Sequence, residues 1–134
     1  LERSHFQWVD LFVDDLSFYS GGFNAWAGVF CIGDDWIAVG GNEETTARLL
    51  LRSDRIQCFA AADDWLNIHE TNDTAHRSQS WLQEQPTSRQ LATLPPKYRL
   101  DFNLTRYRAS ALIGFSGNKS AIHKILTGCY DIHV

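Results

Sequence analysis

"FNAWAGVFCIGDDWIAVGG", residues 23 to 41, decides how this chain folds. The apolar runs "FNAWAGVFCI" and "WIAVGG" stand on either side of Gly33-Asp34-Asp35. Two such runs separated by a glycine–aspartate turn are the signal of a β-hairpin, because glycine supplies the positive φ that a tight turn needs. Neither run approaches the roughly 18 apolar residues required to span a bilayer.

Upstream, "LSFYS" reads as another strand, joined to the hairpin by the tight connection Gly21-Gly22. Before it, "WVDLFV" alternates Trp8, Asp10 and Phe12 with Val9, Leu11 and Val13, the period-two pattern of a half-buried strand, and Asp14-Asp15 makes the turn. Four short antiparallel strands in succession predict a meander or a small barrel. Downstream, "TTARLLL" predicts a fifth strand, with a short helix as the rival.

From Ser53 the pattern becomes helical. Ser53 or Asp54 can cap a helix to about Glu70, with Ile56, Phe59, Ala62, Leu66 and, at the margin, Trp65 on one broad face. A second helix, from about Asp73 to Gln83, presents Trp81 and Leu82. After Pro86, Thr87 and Gln90 have the spacing of a capping box, Leu91 and Leu94 give a short helix an apolar edge, and Pro95-Pro96 end it. Thr105 caps a helix through about Phe115, and Asn118 caps a last one that Gly128 stops. The fold class is therefore α+β: an N-terminal antiparallel β-meander or small barrel followed by four to five short helices. We read residues 1–134 as a single domain, with a β-rich acidic lobe over 1–53 and a helical lobe over 54–134 that is basic from about residue 76.

With 44% apolar and 21% charged residues, the chain has the composition of an ordinary globular domain. Cys31, Cys58 and Cys129 have no metal-like spacing and read as idle thiols in a reducing compartment. No basic-then-apolar leader opens the sequence, and the expected location is cytoplasmic. Methionine is absent, which points to a fragment of a longer polypeptide. Net charge is −4, but it divides unevenly. Residues 1–75 hold four arginines against thirteen carboxylates, a net −9, and residues 76–134 hold eight Lys/Arg against three, a net +5. A polar partner for the basic half, or attraction between the two halves, would follow from that asymmetry.

No catalytic or metal motif is complete. "GFSGNKS" (114–120) resembles a phosphate loop, but Asn118 precedes Lys119 where glycine is required, and a helix precedes it where a strand should. A corner between two helices is the plainer reading, and nucleotide binding there is rejected. Asp14-Asp15 and Asp34-Asp35 read as solvated turn acids. Asp63 falls beside the apolar face of its helix near Glu70, where an acid usually meets an arginine or an amide. His69, Glu70, Asp73 and His76 lack a zinc pattern. A small hydrolase built on Asp63, Glu70 or His76 is the least favoured function. Trp8, Trp26 and Trp36, on strands, read as core; exposed aromatics would instead offer stacking platforms for bases.

The last helix offers the best functional surface. Ile122, Ile125 and Leu126 take one face and leave Lys119, Ser120, His123, Lys124 and Thr127 on the other, opening at what reads as a helix N-terminus suited to phosphate. Arg89, Arg106 and Arg108 are further candidates, although Arg106 and Arg108 point to nearly opposite sides.

The pieces "WVDLF", "GFNAW", "WIAVGG", "AADDWLN" followed by "HET", "WLQEQPTSRQLATLP" and "TRYRASALI" are spread over nearly the whole chain. In them the chain resembles a region found downstream of the motor in bacterial and phage DEAD/DEAH-type (superfamily 2) helicases. The most specific piece is "PTSRQLATL", with Thr105, Ala109, Ser110, Leu112 and Ile113 in the helix after it. The resemblance implies a non-catalytic accessory domain without a Walker motif of its own. Its partners would be nucleic acid, DNA rather than RNA, or the helicase motor, with no membrane, small-molecule substrate, cofactor or metal. The negative net charge departs from a typical nucleic-acid domain and leaves room for docking. A stand-alone acidic interaction module, inhibitor- or immunity-like, is the alternative.

Overall fold

Along the strand Ala25–Ile32 the side chains leave the backbone alternately to two sides, and both sides are covered. Ala25, Ala27 and Val29 enter one apolar cluster, while Trp26 and Phe30 enter another. Burial on both faces is what turns a strand into a near-continuous apolar run. In this computed structural model, residues 6–21, 24–42, 47–69, 84–101 and 104–131 are described.

Five strands form the sheet: β1 (Val9–Asp10), β2 (Ser17–Gly21), β3 (Ala25–Ile32), β4 (Asp35–Asn42) and β5 (Arg48–Ser53). They lie in chain order, and every neighbouring pair is antiparallel. The sheet is thus an open meander with β1 and β5 at opposite edges, not a barrel. The expected hairpin pairs Ala25 with Asn42 through Ile32 with Asp35 and turns at Gly33, whose φ is +64°. Of "TTARLLL", the described part from Arg48 on belongs to β5 rather than to a helix, with a register shift against β4 between Ala38 and Val39, and residues 45–46 lie outside the described ones.

Asp54 caps the first helix, α1 (Arg55–His69), accepting the Gln57 amide at 2.8 Å. Cys58, Phe59, Ala62, Trp65 and Leu66 of α1 cover one face of the sheet, against Phe18, Ala25, Ala27, Val29 and Ala38. Ile56 does not join them; it is 82% exposed. The buried arc centres on Ala62, and six positions earlier Ile56 lies about 120° away at 100° per residue. The close fit of the strands shows at Gly40 and Gly41, which face opposite ways. A Cβ on Gly40 would lie 2.8 Å from the Trp65 ring, and one on Gly41 2.7 Å from the Trp26 ring.

The other face is covered by one long helix. The capping box is present as read: Thr87 Oγ1 accepts the Gln90 amide at 3.1 Å, and the Thr87 amide donates to Gln90 Oε1 at 3.0 Å. It opens α2 (Ser88–Thr93), and a 3-10 turn (Pro96–Leu100) follows. Thr105 then caps α3, accepting the Arg108 amide at 3.1 Å. Here the sequence reading is corrected. Helix α3 runs from Arg106 to Asp131, 26 residues, through the supposed corner at Gly114–Asn118 and past the supposed stop at Gly128. Asn118 is no cap: its Nδ2 donates back to the Gly114 carbonyl at 3.0 Å and across to the Tyr19 hydroxyl at 3.2 Å. Gly114 marks a close approach, since a Cβ there would lie 2.9 Å from Tyr19 Oη. The described residues therefore hold three α-helices instead of four to five. The helix expected over 73–83 lies outside them.

Tyr19, Phe30, Ile37 and Val39 from the sheet, with Leu94, Tyr107, Leu112, Ile122 and Cys129 from the helices, build this second core. Tyr107 donates to the Gln7 carbonyl at 2.7 Å, which ties α3 to the chain just before β1. Burial pushes the Tyr19 phenol well above its ordinary pKa, although the bond from Asn118 opposes the shift.

Candidate nucleic-acid interface

The strand read over 8–13 is shorter than its alternation implied. Val9 and Leu11 are buried, but only Val9–Asp10 pairs with β2. The chain then turns outward, with positive φ at Val13 (57°) and Asp15 (64°). Polar side chains fix this loop from three directions. Asp10 Oδ2 accepts the Asp15 amide at 2.9 Å, and Asp14 Oδ1 accepts the Leu16 amide at 3.1 Å. Arg55 of α1 grips the Asp15 carboxylate with two bonds of 2.9 and 3.1 Å, which hold that carboxyl below its ordinary pKa. Arg108 of α3 donates to the Asp10 carbonyl at 2.8 Å and to the Leu11 carbonyl at 3.2 Å.

The loop so held presents Phe12, 58% exposed, with its ring edge-on to Phe115 of α3 at 6.0 Å between centroids. Two recesses open beside this pair. One, of about 200 Å³, lies between Phe30, Cys31 and Ile32 of the sheet and Lys119, Ile122, His123 and Leu126 of α3. The second, of about 410 Å³, lies between Leu94, Pro95 and Tyr98 on one side and Leu112, Ile113 and Ser116 on the other. Phe12, Phe115 and Lys119 border both, so they form the ridge between them.

Of the six basic candidates, Lys119 lies on this ridge, and His123 lines the smaller recess beside it. Lys124 is exposed on the same helix, but five positions from Lys119 it points about 140° away. Arg89 borders a separate recess of about 270 Å³ with Gln90 and Ser110. Arg106 is bound to Glu84 at 3.0 Å. Arg108 spends its guanidinium on the loop carbonyls and acts as a support. The division of α3 into a buried and an exposed face holds: Ile122 is buried, Ile125 and Leu126 are half-buried, and Lys119, Ser120, His123, Lys124 and Thr127 are exposed. The expected helix N-terminus beside Lys119 is corrected, because those amides lie inside α3.

Both pairs of turn acids stay solvent-accessible, as read, and one acid of each also forms an ion pair. Asp15 holds Arg55, and Asp35 holds Arg52 at 2.7 Å, while Arg52 also donates to the Cys129 carbonyl at 3.0 Å near the end of α3. Trp8, Trp26 and Trp36 pack as expected, against Phe59 at 5.2 Å, Tyr19 at 5.7 Å and Phe18 at 6.5 Å. Of the suggested metal cluster only His69 is described, its Nδ1 3.2 Å from the Asn42 amide nitrogen. The described residues contain no group of His, Cys, Asp or Glu able to hold a metal, and no helix long and apolar enough to cross a membrane. Sequence reading missed Phe12 because it continued an alternating run. The Asp14-Asp15 turn two residues later was the signal that Phe12 stands where the strand ends.

Residues 1–127 match the family model described as the C-terminal domain of the mitochondrial helicase Irc3. No curated protein and no solved structure matches the chain. The match supports the helicase C-terminal part of the resemblance; bacterial and phage origin forms no part of it.

Proposed function

The chain belongs to the family of the C-terminal domain of the mitochondrial helicase Irc3, and from that membership we propose that it is a non-catalytic accessory domain of a superfamily 2 helicase that contacts nucleic acid. The observation that carries this is the ridge on α3, where Lys119 and His123 stand beside exposed Phe12 and half-buried Phe115. Charge favours the same helix. Helix α3 holds Arg106, Arg108, Lys119 and Lys124 against Asp131 alone, while α1 holds Arg55 against Asp63 and Asp64. Phosphates are drawn to the first and repelled by the second. The non-catalytic reading draws support from "GFSGNKS", whose amides are spent inside a helix and cannot cradle a triphosphate.

Lys119, His123 and Lys124 make the proposed phosphate contacts on α3, with Arg89 at the flank; Arg108 holds the loop, and Arg106 the junction with Glu84. So few contacts make a weak binder when the domain acts alone. Anisotropy titrations of the 134-residue chain against labelled single- and double-stranded oligonucleotides at several salt concentrations test this. Each contact is expected to add about −0.7 to the log–log salt slope on single strands, so Lys119→Ala with Lys124→Ala flattens it by roughly 1–2 units. Absence of salt-sensitive binding to DNA and RNA alike would end this reading and favour docking on the helicase motor.

A further inference from the structure

We propose that the two recesses beside Phe12 receive unstacked bases, so that the domain selects single-stranded over duplex nucleic acid. The inference rests on the nucleic-acid reading above and adds to it the class of ligand. An exposed phenylalanine on a loop is ordinary when the loop is loose. This one is fixed: Arg108 binds the carbonyls of the two residues before Phe12. The residue after it, Val13, is β-branched yet has a φ of 57°, a conformation such residues rarely adopt. Strain kept beside an exposed aromatic, and held there by a buttressing arginine, points to a use for that aromatic.

The ridge also limits what the occupant can be. Phe12, Phe115 and Lys119 border both a recess of about 200 Å³ and one of about 410 Å³, which places an ammonium beside the apolar lining. A purely apolar partner face laid on this surface would leave that ammonium without an anion. A planar ring flanked by phosphates suits both features: the ring lies on Phe12 or Phe115, and Lys119 and His123 meet the backbone. Such stacking accepts any base, because each has a π-face. In a duplex those faces are already covered, and Phe12 has nothing to engage.

The test compares a single strand with the duplex of the same sequence, at fixed salt and across salt, for the 134-residue chain and four variants. Phe12→Ala is expected to weaken single-strand binding about tenfold or more, the loss of one or two stacking contacts, with duplex affinity and salt slope unchanged. Phe12→Trp is expected to keep the affinity and to lose fluorescence as the single strand binds. Phe12→Leu keeps the bulk without the π-face and is expected to behave like Phe12→Ala. If Phe12→Ala and Phe12→Leu bind single strands as the parent does while Lys119→Ala binds more weakly, the base-docking proposal fails and the charge reading stands. If the parent shows no salt-sensitive binding to either form, both fall.

Discussion

The two faces of the sheet are covered by helices of very different reach. Helix α1 has 15 residues and closes its face with Phe59, Trp65 and Leu66 over small strand residues such as Ala25, Ala27 and Ala38. Arg55 seals the edge of that face, its guanidinium 5.2–5.6 Å from the Phe18, Trp36 and Phe59 ring centres. Helix α3 has 26 residues, roughly 39 Å at about 1.5 Å each. Four strand spacings of about 4.8 Å give a sheet only roughly 19 Å wide, and its longest strands span roughly 27 Å. A helix longer than the sheet in either direction leaves part of its surface uncovered, and its middle, from Leu112 to Leu126, borders the recesses at Phe12. One face is spent on stability, and the other has surface left for a partner.

The largest effect should come from deleting matched core side chains on the two faces. Leu66→Ala, in the closed core, is expected to cost about 3–5 kcal/mol, and Ile122→Ala, beside an open recess, about 2–3 kcal/mol, because solvent and neighbours fill the smaller gap more readily. Chemical denaturation measures both. Equal losses would mean that the α3 face is as tightly closed as the other.

Glycines sharpen the comparison along α3 itself. Gly114→Ala should gain helix propensity yet destabilise by about 1–3 kcal/mol, since the new Cβ would collide with Tyr19. At Gly117 a Cβ would meet nothing within 4 Å, so Gly117→Ala should stabilise by up to about 1 kcal/mol. Opposite signs from two substitutions three residues apart would mark which side of α3 lies against the sheet. Stabilisation by both would show that Gly114 does not lie against Tyr19.

The same residue explains where sequence reading stopped. The hairpin at Gly33, the Thr87–Gln90 box and the caps at Asp54 and Thr105 were legible, because each depends on chemistry within a few residues. Gly114 and Asn118 were not. Their partner is Tyr19, 95 and 99 positions earlier, so a helix crossing a strand looked like a corner between two helices. Lys119, His123 and Lys124 were legible as exposed basic positions, but only the fold turns Lys124 away and brings Phe12 beside Lys119 and His123. The strand read through Phe12 ends at Asp10 because Asp10, Asp14 and Arg108 bind the loop, and two of those three lie outside the alternating pattern's local logic.

A smaller effect tests the brace on the α3 face. Helix α2 rests on the start of α3, where Gln90 Nε2 donates to the Arg106 carbonyl at 3.3 Å. Thr87→Ala removes the cap from α2 and is expected to cost about 0.5–2 kcal/mol. An unchanged denaturation midpoint would mean that the capping box contributes nothing to holding this face.

The central claim is that the partner surface lies on the α3 side and that the α1 side is closed. Amide chemical-shift mapping during titration with a single-stranded oligonucleotide at low salt tests this most directly. The account predicts shifts that track binding at Phe12, Val13 and along Phe115–Thr127, with residues 55–69 of α1 unmoved. Shifts concentrated on α1, or a saturable interaction that leaves Phe12 and Lys119 untouched, would contradict it.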